Sequence, residues 1–244
     1  MNYDFKQTQR FSHKAEYYAK YRPKYPKETI TILKKNNVLI NSKIIADIGS
    51  GTGILSKLFL DAGYSVYGVE PNNDMRRYAE GFLKYFKKYK SMKGTAESTN
   101  LPSHSIDLIT VGQAFHWFDP DKAKSEFKRI LKPKGYVMLI WNSRSLSGTL
   151  YSEYLKKYSK DYDKIKSMEV DYDAFFTNYK HIELQNPHLL DFEELKGLTL
   201  SSSYFPMSFT DEMLEELKEI FNKTNKNGKV IIDYTTNIYY GVIK

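Results

Sequence analysis

The segment Lys43-Ile-Ile-Ala-Asp-Ile48 is a compact apolar run that stops at Gly49-Ser-Gly-Thr-Gly53, and an apolar stripe at Ile54, Leu55, Leu58 and Phe59 follows at once. A short apolar run closed by glycines reads as a buried strand, and the stripe as one face of a helix. A strand that enters a helix through three glycines turns sharply and leaves its backbone open to close approach. The alternation continues. Ser65-Val-Tyr-Gly-Val69 is a second strand, and Asn72 or Asn73 caps a helix whose apolar face is Met75, Tyr78, Ala79, Phe82, Leu83 and Phe86. A short strand near Ser91 to Lys93 and a clearer one at Ile106-Asp-Leu-Ile-Thr-Val111 come next. Asp119-Pro120 opens a helix that runs to Leu131, and Tyr136-Val-Met-Leu-Ile-Trp141 follows as a strand. This order of elements gives a parallel sheet covered by helices on both faces.

The flanks of this core read differently. Prolines at 23 and 26 end any helix near Tyr21, and a short helix is expected at about 27–36. Residues 143–210 break the rhythm and read as an insertion or cap, in which Tyr151, Tyr154, Leu155, Tyr158, Tyr162 and Ile165 form a packing stripe. Thr210 caps an amphipathic helix with Met213, Leu214, Leu217, Ile220 and Phe221 on one face. The apolar segments at 229–234 and 236–243 read as an antiparallel hairpin at the end of the sheet. All 244 residues are expected to form a single domain: N-terminal lid and helices at 1–36, core at 40–142, cap at 143–210, and final helix and hairpin at 211–244.

Composition narrows the function classes. The absence of cysteine excludes disulfides, cysteine-ligated zinc and a thiol nucleophile. The net charge of +8 invites a nucleic-acid reading, but only six of the 37 basic residues are arginine and the lysines are dispersed, so solvated helix faces explain the charge more simply. No apolar run is long enough to span a bilayer, and Met1 to Arg10 is polar, so a cytoplasmic protein, monomer or homodimer, is expected. His181 and His188 lack ligand company, and no metal is expected.

Four signals fall at the carboxyl ends of strands, where open α/β sheets bind ligands. The first is the glycine turn itself. Its register is not that of the dinucleotide fingerprint, because the third glycine falls at 53 and position 54 is isoleucine. Asp47 precedes the turn, where a carboxylate repels a pyrophosphate and suits a cationic amino group. The second signal is Glu70, at the end of the second strand, where a carboxylate can accept both hydroxyl hydrogens of a ribose. The others are Gly94-Thr-Ala-Glu97 and Gln113-Ala-Phe-His-Trp-Phe-Asp119.

Asp47-Ile-Gly-Ser-Gly-Thr-Gly53, Val69-Glu70-Pro71, Gly94-Thr-Ala-Glu97, Gln113-Ala-Phe-His-Trp-Phe118 and Leu131-Lys-Pro-Lys-Gly-Tyr136 together resemble the ordered motifs of class I S-adenosylmethionine-dependent methyltransferases. Tyr21-Arg-Pro-Lys-Tyr-Pro26 is similar to the small-molecule subgroup that includes trans-aconitate methyltransferases. The resemblance implies an α/β, Rossmann-like, doubly wound seven-stranded sheet in the order 3-2-1-4-5-7-6, strand 7 antiparallel, with a helical insertion after strand 5. It implies S-adenosyl-L-methionine as cofactor. Asp47, Gly49, Ser50, Gly51 and Gly53 then hold its methionine part, Glu70 with Pro71 the ribose, Ala96 and Glu97 the adenine, and the Gln113 backbone flanks the sulfonium.

Gln-Ala-Phe-His is not the Asx-Pro-Pro-aromatic signature of amino-methylating DNA and glutamine methyltransferases, so a small-molecule acceptor is expected. The methyl acceptor is expected to be a carboxylate or hydroxyl oxygen. A hydroxyl needs a base, for which His116 is the candidate, its pKa lowered if the neighbouring aromatics enclose it. A carboxylate needs a cation, which Arg22 or Arg144 supplies. Tyr21 and Trp117 complete the expected substrate contacts, and the segment around Tyr17 to Pro23 is expected to cover the cofactor. A nicotinamide-dependent oxidoreductase, or a non-catalytic protein on a methyltransferase scaffold, are the alternatives.

Overall fold

The computed structural model describes residues 14–39, 44–144, 148–159 and 170–244. The polar N-terminal ten residues, Tyr162 and Ile165 lie outside the described residues. Two short helices come first, α1 (Ala15–Tyr21) and α2 (Glu28–Lys35), followed by β1 (Ile44–Ile48), α3 (Ile54–Asp61), β2 (Ser65–Val69), α4 (Asn73–Phe82), β3 (Tyr89–Met92) and β4 (Ile106–Gly112). A 3₁₀ turn, Phe115–Trp117, leads to α5 (Pro120–Ile130) and β5 (Leu131–Arg144). Asn72 caps α4 by accepting from Asp74 N and Met75 N, and Asp119 caps α5 by accepting from Lys122 N, with Pro120 at the first helical position. The cap and the return to the sheet comprise α6 (Leu150–Tyr158), α7 (Tyr172–Phe175), β6 (Phe176–Gln185), β7 (His188–Leu190), α8 (Phe192–Leu200), α9 (Asp211–Thr224), β8 (Val230–Ile232) and β9 (Tyr234–Ile243).

Seven strands form one sheet in the order β3-β2-β1-β4-β5-β9-β6. All neighbouring pairs are parallel except those of β9, which runs antiparallel to both β5 and β6. The expected order therefore holds, with β9 as the seventh strand and β6 as the sixth. Alternate residues of each central strand serve opposite faces. Ala46, Ile48, Ile109, Val111, Val137 and Leu139 join Phe115, Phe127 and Phe175 on one face. Ile45, Leu108, Met138 and Ile140 join Leu33, Leu55 and Phe59 on the other.

Three expectations are corrected. The two C-terminal segments are not a hairpin: β8 pairs with β7 in a separate two-stranded sheet, and β9 pairs with β5 and β6. Asp233 separates two segments of unequal length, and the ten-residue β9 is long enough to bridge two partners. The sixth strand comes instead from inside the expected cap. In β6 most side chains are exposed, while Ile182 and Leu184 reach the core. That is an edge strand whose polar residues, Lys180 among them, mask its periodicity. Finally, α4 ends at Phe82, which is 38% exposed, and only Met75, Ala79 and Leu83 of the expected stripe are fully buried.

The cap has a core of its own. Tyr151, Tyr154 and Leu155 pack with Leu195, Leu198, Phe205, Leu217, Ile220, Phe221 and Val230, so the described part of the tyrosine stripe is packing, and α9 belongs to the cap rather than to the sheet. Among the described residues no helix is long and apolar enough to cross a membrane.

Candidate active site

Parallel pairing sets the site. Ile48 pairs with Val69, so β1 and β2 end side by side, and Gly49 N and Ser50 N both donate to Val69 O at 2.9 and 3.1 Å. Gly51 N then donates to Glu70 Oε2, and Asn72 N to Glu70 Oε1, each at 2.9 Å. Arg76 Nη1 donates to Glu70 O at 3.0 Å, and more distantly to Pro71 O. Glu70 thus locks the glycine turn to the cap of α4 with one lone pair of each oxygen, and the remaining lone pairs stay available. Gly51 lies at φ +53° with nothing within 4 Å of where a Cβ would stand, so the turn presents bare backbone to open space. At Gly53, φ is +85° and a Cβ would meet Leu83 Cδ1 at 2.8 Å, which closes α3 against α4. The Ser50 Oγ and Thr52 Oγ1 atoms are buried without a partner among the described residues.

Asp47 is 1% exposed. Its carboxylate accepts from Ser56 Oγ at 2.6 Å and from Thr110 Oγ1 at 3.2 Å. Burial pushes its pKa up to about 7; the two hydroxyls pull the other way, and the Glu70 charge adds to the rise. Burial also raises Glu70, against the two backbone amides and Arg76.

Beyond β4, Gln113 takes a left-handed backbone at φ +58°, a conformation that non-glycine residues adopt at a cost and that clusters at functional sites. Its N donates to Ile140 O at 3.0 Å and its Nε2 to Asn142 O at 3.1 Å. The 114–118 turn leans on the glycine turn: a Cβ at Gly49 would meet Ala114 Cβ at 2.7 Å and Phe118 Cζ at 3.3 Å. The His116 ring lies 4.6 Å from that of Trp117, tilted by 47°. Burial lowers the His116 pKa to about 4, so the imidazole is neutral at pH 7. Ala96 is buried beneath β3's end, and Glu97 Oε1 accepts from Asp119 N at 2.9 Å, which ties the β3 loop to the start of α5.

The N-terminal segment does not bring Tyr21 and Arg22 together. On α1, Tyr17 and Tyr21 share a face and stack at 6.0 Å, and Tyr21 lies against Gly197 of the cap. The Tyr21 ring therefore packs on the cap. Tyr18 and Arg22 share the other face, with the guanidinium 5.1 Å from the Tyr18 ring. Two residues that sequence reasoning missed lie here. Burial raises the Tyr25 hydroxyl well above the phenol range, with Asp47 among the charges acting on it, and burial likewise raises Tyr18, which feels Glu70. A Cβ at Gly112 would meet Tyr25 Oη at 2.6 Å, so this tyrosine stands on the end of β4. The four-residue helical spacing of Tyr18 and Arg22 was the available signal.

Asn142 holds the segment down. Its Nδ2 donates to Pro23 O at 3.1 Å, and its Oδ1 accepts from Thr236 Oγ1 at 2.6 Å and from Asn186 Nδ2 at 3.2 Å. Asn186 Nδ2 also donates to Lys24 O at 2.9 Å. Arg144, the last residue of β5, donates from Nη2 to the Tyr204 hydroxyl in the cap.

Residues 46–139 match a family described as "Methyltransferase domain". An uncharacterized methyltransferase of Mycobacterium bovis is 28% identical over 226 residues, 90% of this chain and 89% of that protein. A protein of Anaeromyxobacter dehalogenans, provisionally described as a type II methyltransferase, superposes with a TM-score of 0.68 at 17% identity over 91% of this chain and 97% of its own. Phosphoethanolamine N-methyltransferase 2 of Haemonchus contortus, in complex with phosphomonomethylethanolamine and S-adenosylhomocysteine, has a TM-score of 0.53 at 18% identity over 98% of this chain and 57% of its own. The strand order and the glycine turn at the end of β1 make this a Rossmann-like methyltransferase fold, and residues 46–139 of it are the part similar to the methyltransferase-domain family.

Proposed function

We propose that this protein transfers the methyl group of S-adenosylmethionine to an oxygen of a small-molecule acceptor. The observation that carries the reading is the pair of buried carboxylates on either side of an open glycine turn: Asp47 behind it, and Glu70 beside it with lone pairs to spare. A site for a cationic amino group and a ribose diol needs this donor set. In it Asp47 binds the amino group, the 49–53 backbone lies along the methionine part, and Glu70 accepts from the ribose hydroxyls. Ala96 and Glu97 border the adenine, and the strained Gln113 backbone borders the reacting end. When bound, the sulfonium supplies an activated methyl group for in-line displacement. The chain's own contribution is alignment and the exclusion of water, effects worth up to about 7–11 kcal/mol in favourable systems. Tyr18, Tyr25 and the Asn142-anchored segment provide the cover. His116, neutral and half-buried, orients the acceptor or takes its proton at a ring nitrogen when the acceptor is a hydroxyl.

Isothermal titration of S-adenosylhomocysteine tests this. Binding is expected, and Glu70→Ala is expected to weaken it at least about tenfold, because bonds to a charged group contribute about 1.5–3 kcal/mol each. Folded protein that takes up NAD and leaves 1 mM S-adenosylhomocysteine unbound would overturn the reading in favour of a nicotinamide enzyme.

A further inference from the structure

We infer that the cap carries an anion subsite, in which Arg144 and Arg22 converge on the hydroxyl of Tyr204 and bind the carboxylate of an acidic ligand in its place. That the ligand is the methyl acceptor rests on the function proposed above; that the subsite binds a carboxylate does not.

The subsite sits where the sheet meets the cap. Arg144 ends β5, two residues past Asn142, whose carbonyl receives the Gln113 side chain. At the rise of an extended strand this is about 7 Å beyond Asn142. Arg22 arrives from the other side, at the C-terminus of α1, and its Nη2 donates to Ser201 O at 3.2 Å. Its Nε is buried without a hydrogen-bond partner, and no ion pair among the described residues involves it. A third cation, Lys14, is 3% exposed in the same corner and is held by the carbonyls of Ser202 and Phe205 at 2.7 and 2.6 Å.

Tyr204 accepts from Arg144, and its neighbours in the chain, Ser201, Ser202 and Phe205, hold Arg22 and Lys14 through their carbonyls. Burial pushes the Tyr204 hydroxyl up, but the Arg144 and Arg22 charges, together with hydrogen bonds to Ser202 and Arg144, leave it more acidic than an ordinary phenol. The surroundings are aromatic. The Arg144 guanidinium lies 6.0 Å from the rings of both Tyr151 and Tyr234, and Arg22 lies over Tyr18. A guanidinium such as that of Arg22, with its Nε buried and unpartnered in an aromatic, half-buried corner, is costly without an anion. A phenol offers it one oxygen. A carboxylate offers two, in the planar geometry that a guanidinium fork matches. Tyr204 belongs to the irregular 201–209 segment between α8 and α9, so its side chain can yield without disturbing a helix or strand.

Calorimetric titration with benzoate and with its neutral analogue benzamide, at matched ionic strength, tests the subsite with and without saturating S-adenosylhomocysteine. Benzoate is expected to bind and benzamide not. Arg144→Gln is expected to weaken benzoate at least about tenfold, and Tyr204→Phe to bind it at least as tightly as the unaltered protein. If Arg144→Gln does not fold, Arg144→Lys replaces it, with a smaller but measurable loss expected. Failure of benzoate to bind at about 10 mM, equal binding of benzamide, or indifference to the arginine would overturn the inference. A protein that binds benzoate through Arg144 but not S-adenosylhomocysteine keeps the subsite and loses the methyl-transfer function. The converse result keeps the function and loses the subsite.

Discussion

Asp47 is buried and His116 half-buried, and burial moves their pKa values in opposite directions, which gives the two residues distinguishable pH signatures. Burial lifts the Asp47 carboxyl to about 7 in the ligand-free protein. A cationic amino group favours the ionised form, so binding must pull this pKa down and release a proton wherever Asp47 was protonated. The affinity for S-adenosylhomocysteine is therefore expected to be flat above about pH 7.5 and to fall towards tenfold per pH unit below about pH 6.5. Proton release is read by titrating in two buffers of different ionisation enthalpy, and Asp47→Asn should abolish it while weakening binding. His116 behaves in the opposite sense. Its pKa is lowered to about 4, so the imidazole is already neutral across pH 5.5–8. If it accepts a proton from the acceptor, His116→Asn should slow single turnover by about a hundredfold or more, with no histidine-like pH step in the wild-type rate. A wild-type rate that rises through pH 6.5 would place the titrating group elsewhere. A loss confined to KM would make His116 a positioning residue.

The N-terminal segment acts as an element because it is fastened at both ends. Lys14 bonds to the cap carbonyls of Ser202 and Phe205, and Pro23 and Lys24 are bound by Asn142 and Asn186. Removing residues 1–24 would thus strip the cap of a partner as well as uncover the site, and a single substitution isolates the cover better. Asn142→Ala deletes the link to Pro23 and leaves the Thr236 hydroxyl, otherwise buried, without its acceptor. Loss of stability of about 1–3 kcal/mol is expected. Hydrogen exchange should quicken at 15–25 while the strands β1, β4 and β5 keep their protection, and S-adenosylhomocysteine should bind several-fold more weakly. Exchange that quickens equally across the sheet would show Asn142 to be a fold residue only. Sequence reasoning expected a cover near Tyr17 to Pro23 and assigned Tyr21 to the substrate, whereas the structure sets the Tyr21 ring against Gly197 of the cap. The two faces of α1 diverge by helical geometry, and only the contact of Tyr21 with Gly197 reveals which face the cap takes.

For the whole molecule, the legible part of the sequence is the part built from local rules. β1, the glycine turn and Glu70 are specified by neighbours in the chain, and their register follows from parallel pairing. The sixth strand and the cap depend on contacts far apart in sequence: Phe176 pairs with Ile243, and His188 with Ile232. Neither leaves a periodic trace in an exposed edge strand or in a three-residue β7. The junction of cover, cap and sheet is of the same kind, and it concentrates at Gly197 in α8. Helix propensity alone predicts that Gly197→Ala stabilises the protein by roughly 0.8–1 kcal/mol. The packing predicts the reverse, because an alanine Cβ there would stand 2.2 Å from Tyr21 Cδ2 and 2.5 Å from Cγ, at the base of the ring rather than at a mobile tip. Overpacking of this kind costs about 1–3 kcal/mol, which exceeds the propensity gain over most of that range. Gly197→Ala is therefore expected to lower Tm and to weaken cofactor binding by displacing α1, although Gly197 itself lies in the cap core. Thermal unfolding of Gly197→Ala, Tyr21→Ala and the double variant decides between the two effects. With the ring gone the added methyl has room, so the double variant should be less destabilised than the sum of the singles. Strict additivity, or a Gly197→Ala protein more stable than the parent, would mean that α1 does not seat on α8 as described.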